Sequence, residues 1–103
     1  MKKQRWFQFS YAEQMAHIGG EVTRARIWDE KGDQITCNRC IERAFELIDL
    51  TITDLRWKRR LKEICRFREV LADHYAGTSY YNVPLTWLEQ YCNEFAMLVR
   101  RDF

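Results

Sequence analysis

The cysteines are the residues whose spacing most directly suggests chemistry. Cys37 and Cys40 form a Cys-x-x-Cys pair, which is the half-site spacing of many zinc and redox proteins. A structural zinc ion needs four ligands, and Cys65 and Cys92 are far away along the chain. A redox pair needs an activated thiolate at the start of a helix in a thioredoxin-like fold. Since cysteine is commonly just a small buried side chain, we predict no metal, no cofactor and reduced thiols.

Arg68 is the second residue of chemical interest, because it interrupts an otherwise apolar line at helical spacing. A guanidinium in such a position must find a carboxylate or remain as an unpaired charge, which costs several kcal/mol. Glu21 borders the apolar stripe of the first predicted helix, and Glu69 lies at the edge of the same helix as Arg68. We predict a structural ion pair between Arg68 and Glu21, with Glu69 as the alternative partner.

An enzymatic role for Arg68 is the alternative, and it would involve His74, six residues later. An imidazole shuttles protons near pH 7, and a guanidinium binds phosphate through two hydrogen bonds. An arginine followed at this spacing by a histidine, near the end of a helix, resembles the motif of HEPN ribonucleases. That resemblance implies cleavage of RNA across a dimer by Arg68 and His74. The family usually has a small polar residue after its arginine, whereas this chain has Glu69.

A concentration of positive charge is the feature that suggests a nucleic-acid partner. The whole chain has a net charge of only +2, yet residues 56 to 68 contain seven basic side chains and the single acid Glu63. Such clusters bind RNA or DNA phosphates in many proteins. The predicted contacts are Lys58, Arg59, Arg60, Lys62 and Arg66. The alternative is that these charges attract the acidic helix before them or are simply solvated.

Apolar periodicity and punctuation predict the elements that position these residues. The single proline and four glycines favour long helices over the many turns of an all-β fold. Ser10 and Glu13 have capping-box spacing, Asp33 and Asp54 are suited to helix starts, and Pro84 suits a first helical turn. The prediction is an all-α, antiparallel up-down-up-down four-helix bundle. Its helices cover about residues 10–31, 33–53, 54–76 and 84–101 of a single domain, 1–103.

Two glycines lie inside the first predicted helix. Gly19 and Gly20 each cost about 1 kcal/mol of helix propensity relative to alanine. A close crossing with another helix would compensate that cost, so we expect one there.

The bulk composition limits where the protein works. No segment approaches the roughly 20 apolar residues of a membrane span. After the basic amino terminus, polar residues interrupt any apolar run before it reaches the length of a signal peptide. We therefore predict a cytoplasmic protein without a membrane partner. The aromatic content of 15% favours a homo-oligomer, with Trp6, Phe7, Phe9, Trp28 and Trp87 at a bundle end or a subunit interface.

The segments AEQMAHIGGEVTRARIW and LIDLTITDLRWKRRLKEICRFREVL resemble those of small bacterial four-helix-bundle proteins. In general build the chain is similar to the group that includes the proteins encoded in 23S ribosomal RNA intervening sequences and the accessory variability determinant of diversity-generating retroelements. The resemblance implies a barrel-like homopentamer whose basic outer surface binds nucleic acid and a reverse transcriptase. The leading hypothesis is a self-associating, non-enzymatic accessory protein. A purely structural protein-interaction module is a further alternative.

Overall fold

The structure is a computed structural model that describes residues 3–101. Within this range the chain is helical and has no strand. Its elements are α1 (Lys3–Trp6), α2 (Tyr11–Glu30), α3 (Gln34–Ile52), a 3-10 helix (Leu55–Arg60), α4 (Leu61–Ala76) and α5 (Leu85–Arg101). The predicted all-α class with four long helices is confirmed. The predicted domain also included residues 1, 2, 102 and 103, which lie outside the described residues. No helix in the described range is long and apolar enough to cross a membrane.

The ends of the long helices follow local sequence signals. The Glu13 amide donates to Ser10 Oγ at 3.1 Å, and the Ser10 amide donates to Glu13 Oε1 at 2.9 Å, so the predicted capping box is confirmed. Asp33 starts α3 by accepting a bond from the Thr36 amide. Gly77 ends α4 with a φ of 70°, a left-handed conformation that glycine adopts without steric cost.

The prediction of one continuous helix over residues 54–76 is wrong. Residues 55–60 form the 3-10 helix, and Trp57 departs from helical geometry at φ −103° and ψ 23°. The Asp54 carboxylate accepts a bond from the Arg56 amide, and the Trp57 indole N–H donates to Gln14 of α2 at 2.9 Å. These contacts hold the first turn in a tighter helix, and α4 begins only at Leu61. The short helix α1 was not predicted.

The core is built mainly on α2. This helix packs closely along both α3 and α5, α3 packs against α4, and α4 and α5 touch at fewer points. The stripes of apolar residues predicted for each helix supply the interior. Its largest fully buried side chains are Trp6, Met15, Ile18, Ile41, Ile48, Ile64 and Leu71. Trp6 was expected at a bundle end or a subunit interface. Its side chain is 0% exposed within the monomer and contacts Thr51 near the end of α3, so it is not available to a subunit interface.

Gly19 marks the expected close crossing, where α2 meets α5. A Cβ atom built on Gly19 would lie 2.5 Å from the Cβ of Cys92, which is closer than real side chains approach. Gly20 is different, since a Cβ there would have no neighbour within 4 Å. The helix-propensity cost is therefore compensated at Gly19 and not at Gly20.

A buried amide links the amino-terminal segment to the end of α3. The Gln14 side chain is 0% exposed, and its Nε2 donates to the backbone carbonyl of Trp6 at 3.1 Å and to Asp54 at 3.3 Å. Its Oε1 accepts the bond from Trp57. The Trp6 indole donates in turn to Thr51 at 3.1 Å. One side chain of α2 thus connects three other segments through hydrogen bonds.

Arg56 extends this network to the surface. Its guanidinium contacts both oxygens of Asp54, with Nε at 3.0 Å and Nη2 at 2.7 Å. Nη2 also donates to the backbone carbonyls of Phe7 and Phe9 at 2.8 and 2.9 Å. The bonds from Arg56 are the main cause that lowers the pKa of Asp54, which therefore stays charged at neutral pH. The segment after α1 is held in place by this arginine.

The two glycines of α2 provide a matched pair of stability measurements. Gly19→Ala should destabilise the protein by about 1–3 kcal/mol, because α5 would have to move away. Gly20→Ala should stabilise it by about 0.5–1 kcal/mol, because alanine fits the helix and finds open space. Urea unfolding of both variants tests this, and equal effects of the same sign would contradict the close crossing.

Gln14→Leu should lower the free energy of unfolding by about 2–3 kcal/mol, because it leaves the Trp57 indole N–H without its partner and removes the bonds to the Trp6 carbonyl and to Asp54. Gln90→Leu on the exposed side of α5 is the control, and it should stay within about 0.5 kcal/mol of the parent protein. Urea midpoints that coincide for the two variants would show that the buried amide does not hold these segments together.

Candidate nucleic-acid interface

Three of the seven basic residues between positions 56 and 68 are engaged within the fold. Arg56 bonds to Asp54, as described above. Arg60 places its guanidinium 4.6 Å from the ring centre of Tyr11 and forms a 3.6 Å ion pair with Glu63. Arg68 is paired with α3. Arg60, which was predicted to contact nucleic acid, therefore already packs against the protein.

Arg68 pairs with Asp49, and the predicted pair with Glu21 is wrong. Its Nε and Nη2 atoms donate to the two carboxylate oxygens of Asp49 at 2.7 and 3.3 Å. Its guanidinium also lies 4.7 Å from the ring centre of Phe45. Glu21 faces the other side of α3, where it accepts a bond from Arg43 at 2.8 Å. The ion pair is structural, as expected, but it joins α4 to α3.

Four basic side chains of the 3-10 helix and the first half of α4 remain, and we call them the basic ridge: Lys58, Arg59, Lys62 and Arg66. All four are exposed. Among the ion pairs of residues 3–101, none involves Lys58, Arg59 or Lys62, and Arg66 makes only a loose 3.8 Å pair with Glu69. Lys62 and Arg66 are one turn apart on α4 and so share a face.

An open apolar groove of about 400 Å³ lies directly beside the ridge, where α4 and α5 diverge. We call it the aromatic groove. Its lining is Glu63, Arg66, Phe67, Val70, Tyr81, Val83, Trp87, Leu88 and Tyr91. Trp87 is 69% exposed. Arg66 belongs to both the ridge and the groove, so the two features are continuous.

Two tyrosine hydroxyls donate hydrogen bonds to the acidic side chains at the rim of the groove. Tyr81 donates to Glu69 at 3.0 Å, and Tyr91 donates to Glu63. The bond to Glu69 is the main cause that raises the pKa of Tyr81. The Tyr91 ring also packs against Phe67, with ring centres 5.6 Å apart. These contacts tie the loop and α5 to α4 and fix the walls of the groove.

Asp73 holds the loop that carries Tyr81. Its carboxylate accepts bonds from the hydroxyl of Thr78 and from the backbone amides of Tyr80 and Tyr81, the last two at 2.7 and 3.0 Å. The bond from Thr78 is the largest cause that lowers the pKa of Asp73, and the two amides add to it. The loop is thus ordered by one carboxylate at the end of α4.

The structure does not bring Arg68 and His74 to one site. Six residues of α-helix turn a side chain by about 600°, so these two point about 120° apart on α4. Arg68 is directed to α3, whereas His74 lines a cavity of about 500 Å³ with Asp73 and Pro84 beside the loop. The Nε and Nη2 atoms of Arg68, which could bind a phosphate through two hydrogen bonds, already donate to the carboxylate of Asp49.

The cysteines do not meet at a common site. Cys37, Cys40 and Cys92 are buried in the core, and Cys65 is partly buried. Burial raises the pKa of Cys92 to about 12, so this thiol is protonated and unreactive at neutral pH. Within residues 3–101, no group of three or more potential metal ligands is clustered.

The sequence indicated the basic cluster but not the groove. Trp87 was expected at a bundle end or a subunit interface, whereas Tyr81 and Tyr91 were not singled out. The available signal was the aromatic pair Tyr80 and Tyr81 in a polar loop, followed by Trp87 and Tyr91 one turn apart. Comparison with protein-family models, with curated proteins and with solved structures finds no match to this chain.

The loop contacts predict a specific pH response. The folded-state pKa of Asp73 is lowered below its ordinary value of 3.8, so its bonds persist above that pH and are lost as the pH falls through the lowered value. The amide proton shifts of Tyr80 and Tyr81 should titrate together with a midpoint below 3.8. Asp73→Asn should abolish this step, and Asp49→Asn should retain it. A midpoint above 3.8 would show that the carboxylate does not hold the loop.

Proposed function

We propose that the protein is a non-enzymatic accessory protein that binds RNA or DNA through the basic ridge. The observation that carries this proposal is the division of the basic residues, since three are engaged within the fold while Lys58, Arg59, Lys62 and Arg66 are left at the surface. Lysine and arginine side chains that face solvent bind phosphates and release condensed counterions, which provides most of the affinity for a strand of any sequence. The small net charge of +2 is compatible with this role because the positive charge is concentrated in one segment, residues 56 to 68.

The finer architecture is part of the same proposal. We propose that the four long helices run alternately up and down as an antiparallel bundle, because short connections join them and α2 contacts both α3 and α5. Self-association would use the outer face of α5, where the adjacent side chains of Met97 and Leu98 are exposed. A homo-oligomer would repeat the basic ridge and multiply its contacts with one strand.

Salt dependence is the direct test of the ridge. Four phosphate contacts to a single strand predict that log K falls with log salt with a slope of about −2.8, so affinity should drop about 50-fold between about 50 and 200 mM salt. The double variant Arg59→Ala and Lys62→Ala should reduce the slope to about −1.4. Fluorescence anisotropy with a labelled single-stranded RNA measures both.

The matched control removes two positive charges from helices that do not carry the ridge. Arg24→Ala with Arg39→Ala, on α2 and α3, should leave the slope unchanged, and so should Arg68→Ala. No binding at low salt, or the same slope for the ridge variant and the control, would refute the proposed function.

A further inference from the structure

We propose that the aromatic groove binds the bases of the same strand whose phosphates lie on the basic ridge, with Trp87 as the stacking surface. The ligand is then single-stranded RNA or DNA with accessible bases. This inference rests on the proposed function, because the ridge must first hold the strand. It adds a second contact of different chemistry that the basic residues alone do not provide.

The groove has the chemistry that an unpaired base requires. Its walls are formed by apolar and aromatic side chains, with Phe67 and Val70 on α4 opposite Leu88 and Tyr91 on α5. Its volume of about 400 Å³ lies within the range of small-molecule pockets, about 300–1,000 Å³. Trp87 is 69% exposed at its edge, so one face of a large ring is available. Aromatic side chains stack on every type of base, because each base has a π face.

Charge complementarity selects a polyanion as the occupant. Arg66 is a wall of the groove and its side chain is 72% exposed, and Lys62 lies one turn before it on the same face of α4. The acids at the rim are each paired with a cation, Glu63 with Arg60 at 3.6 Å and Glu69 with Arg66 at 3.8 Å. Each also accepts a bond from a tyrosine hydroxyl. A strand that places its phosphates on the cationic edge therefore turns its bases toward the apolar walls.

The dimensions of the groove favour bases over a docked helix. The apolar walls span Phe67 to Val70 on α4 and Trp87 to Tyr91 on α5, which is about 4.5 Å along the axis of α4 and about 6 Å along that of α5. A helix that docks through residues i to i+7 needs about 10 Å of apolar trough. A duplex is excluded for another reason, since its bases are stacked inside and their faces cannot reach Trp87.

The experiment compares two ligands that differ only in their bases. One is a fluorescently labelled oligouridine, and the other is an abasic strand of the same length and the same number of phosphates. The parent protein should bind the oligouridine about tenfold more tightly than the abasic strand. Trp87→Ala should lose this difference by binding the oligouridine about tenfold more weakly while its affinity for the abasic strand is unchanged. Trp87→Phe should retain most of the preference.

Ile35→Ala is the control, because Ile35 is 71% exposed on α3 and lies outside the groove. It should keep the parent affinities, and unchanged urea midpoints should show that every variant is folded. Equal binding of the two strands by the parent protein would overturn the inference, and so would unchanged oligouridine binding by Trp87→Ala. Light scattering that shows a dimer lost in Trp87→Ala would also overturn it, because a second copy would then fill the groove. Absence of binding to either strand would instead refute the proposed function itself.

Discussion

The buried amide of Gln14 is the interaction on which the position of the other segments depends. It donates to the Trp6 carbonyl and to Asp54, and it accepts from the Trp57 indole. A buried polar group costs more when unpaired than it contributes when paired, so a network of this kind tolerates one arrangement. It fixes where the amino-terminal segment lies and where α3 gives way to the 3-10 helix. The 3-10 helix and α4, which carry the basic ridge, follow directly after that junction.

The sequence predicted what local interactions decide. Ser10 and Asp33 start their helices because the residues that satisfy them lie three positions away. A close helix crossing was predicted at Gly19 and Gly20, because a glycine inside a helix needs a compensating contact. The break before Leu61 was missed, since residues 54–76 have continuous helical periodicity. It results from contacts to Gln14, Phe7 and Phe9, which are forty or more positions away.

The same limit explains which site residues were predictable. Composition identifies the basic cluster but does not show which cations are engaged within the fold. The guanidinium groups of Arg56 and Arg60 contact carboxylates and aromatic rings. Arg68 pairs with Asp49 and not with Glu21. Each of these pairings depends on how helices are placed next to each other. The aromatic groove depends on this placement even more, because its walls come from α4, the loop and α5.

The ridge and the groove need each other to make a selective surface. Phosphate contacts position a strand but carry little information about its structure, so four exposed cations alone would hold a duplex and a single strand alike. Stacking distinguishes them, because it requires a free base face. Asp73 orders the loop, and the two tyrosine–glutamate bonds hold the walls before any ligand arrives. If the groove binds bases as proposed, little further ordering would be needed, and most of the stacking energy would be available for affinity.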